Sequence, residues 1–134
     1  MLLTVADMSF LDPLLRKPHA AYNLVNCRNG LLLATQVHTA FDSSSRRRGL
    51  LGIDSLERGR ALIIAPTSAI HTWFMRFAID VAFVARDGRV VKVRHELPPW
   101  RISGAIGSYA VIELPCGILA AADTSPNDVV SLQL

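Results

Sequence analysis

Apolar and polar positions alternate most cleanly from Phe77 to Ala85. Phe77, Ile79, Val81 and Phe83 form one face, and Ala78, Asp80, Ala82 and Val84 form the other, which is the period of a β-strand. Arg86-Asp87-Gly88-Arg89 has the composition of a tight turn, Val90–His95 returns as a second strand, and Pro98-Pro99 stops it. The pattern therefore predicts an antiparallel hairpin from 77–85 and 89–97. Tyr22–Asn26 and Leu31–His38 flank Cys27-Arg28-Asn29-Gly30, and Asn-Gly between apolar runs is a strong hairpin signal. Leu62–Ala65, Tyr109–Leu114 and Val129–Leu134 read as further short strands. Asp42 and the serines after it can cap a short helix near 43–51 that Gly49 or Gly52 ends, and Ile118–Asp123 is alanine-rich enough for about two turns of helix. Asp54 with Glu57 resembles a one-turn capping box. Six or so strands with two short helices predict an α+β fold that is mostly β, with a curled antiparallel sheet or partial barrel.

The first twenty residues stand apart. Leu3, Ala6, Phe10 and Leu14 fall near helical spacing, with Pro13 and Pro18 interrupting. Residues 1–20 are expected to be an extension, disordered or a short docking helix, and 21–134 one domain. The start codon is open between Met1 and Met8. Asp7 and Asp12 break the apolar run and no basic stretch precedes it, so it does not read as a secretory signal, and a cytoplasmic location is expected. On this reading residues 1–18 are dispensable for stability.

The 134 residues are 51% hydrophobic and 19% charged, which suits a single core and excludes disorder for most of the chain. No stretch is apolar for long enough to predict a membrane-spanning helix. The net charge is +3, carried mostly by arginine. Segments 46–60 and 86–101 each net +3, so a basic face forms if they meet. Cys27 and Cys116 have no CxxC partner, and two buried free thiols are the plain expectation.

Candidate chemistry concentrates in Ile70–Asp80, which places His71, Trp73, Phe74, Met75, Arg76, Phe77 and Asp80 within eleven residues. The aromatics read first as core and Met75 as a gap filler. His71 reads first as a structural histidine. Asp80 sits mid-strand between apolar neighbours, where a carboxylate is costly unless partnered. A bidentate arginine is the expected partner: Arg46 first, then Arg48 or Arg76. Glu113, within another apolar strand, raises the same question.

Several short motifs then follow in order: Arg46-x-x-Gly49-Leu50-Leu51, His71-Thr72-x-Phe74-Met75-Arg76, Ile79-Asp80-Val81-x-Phe83, Asp87-Gly88-x-Val90-Val91, Pro99-Trp100-Arg101 and Glu113-Leu114-Pro115-x-Gly117. From about Leu24 to Leu134 the chain resembles the domain-of-unknown-function family numbered 192, an uncharacterised bacterial and archaeal family. The resemblance carries Arg46, Met75, Asp80 and Glu113 onto the family's arginine, methionine, aspartate and Glu-Leu-Pro positions. Arg76-Phe77 stands where many members have Lys-Asn-Thr, Ala78 where proline is frequent, and Asn127-Asp128 in place of the closing Gly-Asp. The resemblance implies a small mixed fold with a curled sheet and brings no established activity. Many relatives carry export signals.

Three functional readings compete. The first is a non-catalytic binding or accessory domain that holds a small ligand or protein partner in a cleft of Arg46, His71, Trp73, Met75, Asp80, Trp100 and Glu113. The second is a hydrolase-like or metal-dependent enzyme in which His71, Asp80 and Glu113 converge, with His95 a further candidate. The third is weak nucleic-acid binding through the arginine-rich segments, for which +3 and 7% aromatic content give little support. The sequence assigns no cofactor and no metal site, and it leaves enzymatic activity open.

Overall fold

The structure is a computed structural model, and it describes residues 8–134. The expectations for Leu3, Ala6 and a start at Met1 lie outside the described residues.

Among the described residues, three short helices, α1 (Asp12–Arg16), α2 (Ser43–Arg48) and α3 (Ile118–Ala121), accompany ten strands. The central sheet has five strands in the order β3 (Gln36–Ala40), β4 (Arg60–Ile64), β9 (Ala110–Leu114), β6 (Ile79–Val84), β7 (Val90–Leu97). A second sheet orders β10 (Val130–Gln133), β1 (Asn23–Asn26), β2 (Leu32–Ala34), and β5 (Ala69–His71) pairs with β8 (Ile102–Gly104). The fold is thus mostly β, with sheets that curl but stay open.

The 77–85/89–97 hairpin forms as β6 and β7, joined antiparallel, with the strand starting at Ile79 rather than Phe77. Every residue of β6 is buried because both faces of the sheet are covered. On one face, Ala82, Val84, Ile112 and Leu114 pack with Leu24, Leu33 and Leu132 of the second sheet and Leu119 of α3. On the other, Ile79, Val81, Phe83, Leu62 and Ile64 pack with Leu50, Met75 and Leu97.

The structure corrects several readings. Leu31–His38 is not one strand: it breaks at Thr35, and β2 and β3 join different sheets. The break is fixed by Gly59, whose carbonyl accepts the N–H of both Thr35 and Gln36. β3 and β4 run parallel, a pairing that needs a long crossover, and α2 with residues 49–59 supplies it. Asp54 and Glu57 cap no helix; each makes an exposed ion pair, with Arg76 and Arg60.

From Phe10 onward the described part of the N-terminal segment packs against the domain. Leu11 and Leu14 are buried in the first core, Phe10 donates its N–H to the Arg86 carbonyl, and the Tyr22 hydroxyl bonds the Pro13 and Lys17 carbonyls. Pro13 at the start of α1 is compatible with this short helix, since its missing N–H would have no partner there.

Candidate functional site

Asp80 is fully buried, as expected, but its partner is not an arginine. Oδ1 accepts the Glu96 N–H at 2.9 Å, and Oδ2 accepts those of Gly117 at 3.1 Å and Leu119 at 3.0 Å. Three backbone donors satisfy the carboxylate without a second buried charge. Arg46 instead bonds the Phe41 carbonyl and the Ser43 hydroxyl, Arg76 pairs with Asp54, and among the described residues Arg48 makes no ion pair. Asp80 is therefore a brace between β6, β7 and the start of α3.

Glu113 is a second buried acid of the central sheet, and it lies on the opposite face. Its cross-strand neighbours are Leu62 and Val81, both in the second core, whereas Asp80 is aligned with Leu114 in the first. Only 3% of Glu113 is exposed, and its Oε2 has no hydrogen-bond partner. Burial pushes its carboxyl up to about 8, and no charged neighbour contributes to the shift.

The space beside Glu113 is an open cavity of about 550 Å³. β4 and β9 form its floor through Ile64 and Glu113. α2 and the turn after it supply Arg46, Arg47, Arg48 and Leu50; β5 and the following loop supply His71 and Met75. Asp42 builds this wall by capping α2, accepting the Ser45 N–H at 2.7 Å, and that bond holds its carboxyl below the ordinary range.

Four of the seven expected site residues thus share one cavity: Arg46, His71, Met75 and Glu113. Asp80, Trp73 and Trp100 do not line it. Because Asp80 and Glu113 face opposite ways, His71, Asp80 and Glu113 do not form one catalytic or metal-binding triad, and His95 is exposed on β7. Among the described residues no group of three His, Cys, Asp or Glu side chains is placed to hold a metal ion.

Trp73 and Phe74 are exposed rather than core, as is Trp100. Phe74 meets Trp100 edge-on at 4.7 Å between ring centres, and both backbones have positive φ. Buried Thr72, which no sequence signal singles out, holds the two loops together. Its hydroxyl donates to the Pro98 carbonyl at 2.7 Å and accepts the Arg101 N–H at 2.9 Å, while its own N–H donates to the Arg101 carbonyl.

A third polar cluster was also unexpected. Arg28 binds Asp128 through Nε at 2.8 Å, and buried Asn26 donates to the same carboxylate at 3.0 Å. The spacing of a hundred residues hides this clasp from local pattern. The cysteines are both free, but Cys27 is exposed and Cys116 only half-buried, so two buried thiols is not what the fold produces. Burial, then the Asp80 and Glu96 charges, push the Cys116 thiol up.

Together these features define a small mixed-β domain, braced by buried polar contacts and carrying one acid-floored, arginine-rimmed cavity. The chain belongs to the family DUF192, described as Uncharacterized ACR, which it matches over residues 24–132. Two solved structures share the fold. One, from Sinorhizobium meliloti 1021, is described provisionally as a transcription regulator; it has a TM-score of 0.72 and 19% identity, over 83% of this chain and 91% of that one. The other, a protein of unknown function from Novosphingobium aromaticivorans DSM 12444, has a TM-score of 0.72 and 20% identity, over 84% of each chain. A search of curated proteins finds no match. Among the described residues no helix is long and apolar enough to cross a membrane.

Proposed function

We propose that the domain is a non-catalytic binding module whose small-molecule ligand enters the cavity between α2 and β5 and bonds Glu113 at its floor. The observation that carries this reading is the unpartnered Oε2 of Glu113. A buried polar atom without a partner costs about 1–3 kcal/mol, and a fold that satisfies Asp80 with three donors has the means to satisfy a second acid. The unmade bond fits a site completed by a ligand. A volume of about 550 Å³ lies in the range of ligand pockets, roughly 300–1,000 Å³.

A carboxyl that stays protonated near neutral pH is also what a general acid requires. The cavity lining offers it no second carboxylate, the Thr67 hydroxyl there is engaged with the Ala69 carbonyl, and the His71 ring lies against Trp73, 5.0 Å between ring centres. Binding without catalysis is therefore the better-supported reading.

A ligand-observed NMR screen of small fragments tests it. Fragments should bind the wild-type protein and be lost in Leu50→Trp, which fills the cavity from its wall. Hits that persist unchanged in a folded Leu50→Trp, or a screen without hits, would refute the cavity as a binding site.

A further inference from the structure

The charges around the cavity are arranged unevenly, and this constrains what can occupy it. Arg46, Arg47 and Arg48 contribute three positive charges to the lining, and Glu113 is the sole acid among the lining residues. The two ends do not neutralise each other, since among the described residues no arginine makes a hydrogen bond or ion pair with Glu113 and no charged group moves its titration. The arginines also differ. Arg46 is committed to the Phe41 carbonyl and Ser43, and Asp42 lies close enough to feel its charge. Arg47 bonds the Ser43 carbonyl through Nε alone, and Arg48 makes no side-chain hydrogen bond among the described residues. Two guanidinium groups thus keep free donors at the rim. Leu50, Ile64 and Met75 give the cavity apolar walls.

Resting on the binding reading above, we propose that the ligand is a small amphipathic acid. Its anionic group binds Arg47 and Arg48 at the rim, its apolar body lies along Leu50, Ile64 and Met75, and a hydroxyl or carbonyl oxygen at its far end bonds Glu113. Free guanidinium donors favour an anionic oxygen group at the rim. A neutral carboxyl offers one donor and retains acceptor capacity, so it serves either a carbonyl or a hydroxyl. A cationic ligand is disfavoured twice: it must pass the arginines, and Glu113 must ionise in an apolar site to receive it.

Isothermal titration with three probes of equal chain length tests the class: ω-hydroxyoctanoate, octanoate and octylamine. The hydroxy acid should bind most tightly, octanoate about tenfold more weakly, and octylamine not at all. Replacing both Arg47 and Arg48 by Gln should weaken both acids by at least about tenfold. Glu113→Leu should keep octanoate binding and abolish the preference for the hydroxy acid; Glu113→Met, which likewise offers the hydroxyl no strong partner, repeats this arm if the leucine variant does not fold. The ligand class is overturned if octylamine binds as well as octanoate, if the arginine variant binds unchanged, if the preference survives loss of Glu113, or if neither acid binds. Octylamine binding that disappears in Leu50→Trp would overturn the acid class and leave the cavity standing as a binding site. A fragment screen without hits removes both.

Discussion

Asp80 and Leu119 are joined by a 3.0 Å hydrogen bond in which a strand carboxylate accepts a backbone N–H of α3. The same oxygen takes the Gly117 N–H, and its twin takes that of Glu96, a residue at φ +50° near the end of β7. One side chain thus supplies acceptors to a helix start and to an irregular strand end, both of which have N–H groups their own elements leave unpaired.

Asp80→Asn should therefore destabilise the protein by about 2–4 kcal/mol, because an amide replaces one acceptor oxygen by a donor facing a donor. Arg46→Gln should leave the Asp80 contacts intact. Urea unfolding of the two variants checks this. A neutral Asp80→Asn, or an equal loss in Arg46→Gln, would contradict the brace.

The contrast between Asp80 and Glu113 shows what the sequence discloses. Both stand in apolar strands, so their burial and their need for partners are legible from alternation alone. The partner is not, because backbone donors leave no mark in residue type, and residue type alone points to an arginine for Asp80. The β6–β7 hairpin is legible because Asp87-Gly88 and the alternation are local signals. The sheet switch at Thr35 and the parallel β3–β4 pair are not, since they depend on Gly59 arriving from a distant segment. The cavity follows from that crossover, which places α2 over Glu113. That is why Arg46, His71, Met75 and Glu113 can be singled out from sequence while their convergence, and the exclusion of Asp80 from it, cannot.

α1 gives a direct test of the N-terminal segment. Leu14 is 6% exposed and packs in the first core. Leu14→Ala should cost about 2–4 kcal/mol through lost burial and the void it leaves. Leu15, on the same helix but exposed, is the control, and its alanine variant should unfold at nearly the wild-type urea concentration. Equal midpoints for the two variants would support the view of the segment as an appendage.

The Arg28–Asp128 clasp should appear in acid unfolding. The Arg28 guanidinium, helped by the Ser125 and Asn26 hydrogen bonds, holds the Asp128 carboxyl at about 2, below its ordinary 3.8. A depressed carboxylate stabilises the fold above its unfolded value, and this contribution drains away as pH falls from 3.8 towards 2. Arg28→Met should lower the melting temperature near neutrality and flatten its decline across that window. A decline as steep as that of wild type would assign the acid sensitivity to other carboxylates.

Glu113 titrates with the opposite sign. Its carboxyl ionises near 8 in the folded chain against an ordinary 4.5. Below 4.5 both states hold the proton and the group is silent. Between 4.5 and 8 the unfolded chain releases the proton while the native chain keeps it, so native stability falls as pH rises; above 8 the loss is complete. The full penalty is about 3–5 kcal/mol. Glu113→Gln removes the ionisable group while keeping the shape, so its advantage over wild type should be small at the low end of this window and grow steadily towards the high end. Urea midpoints measured across the window check this, and parallel profiles for the two proteins would show that Glu113 ionises freely in the native state. The same variant separates stability from function. Glu113 burdens the fold near neutral pH, so the glutamine variant should be the more stable protein, and it should keep the preference for ligands carrying a hydroxyl or carbonyl at the cavity floor because its amide still offers both a donor and an acceptor.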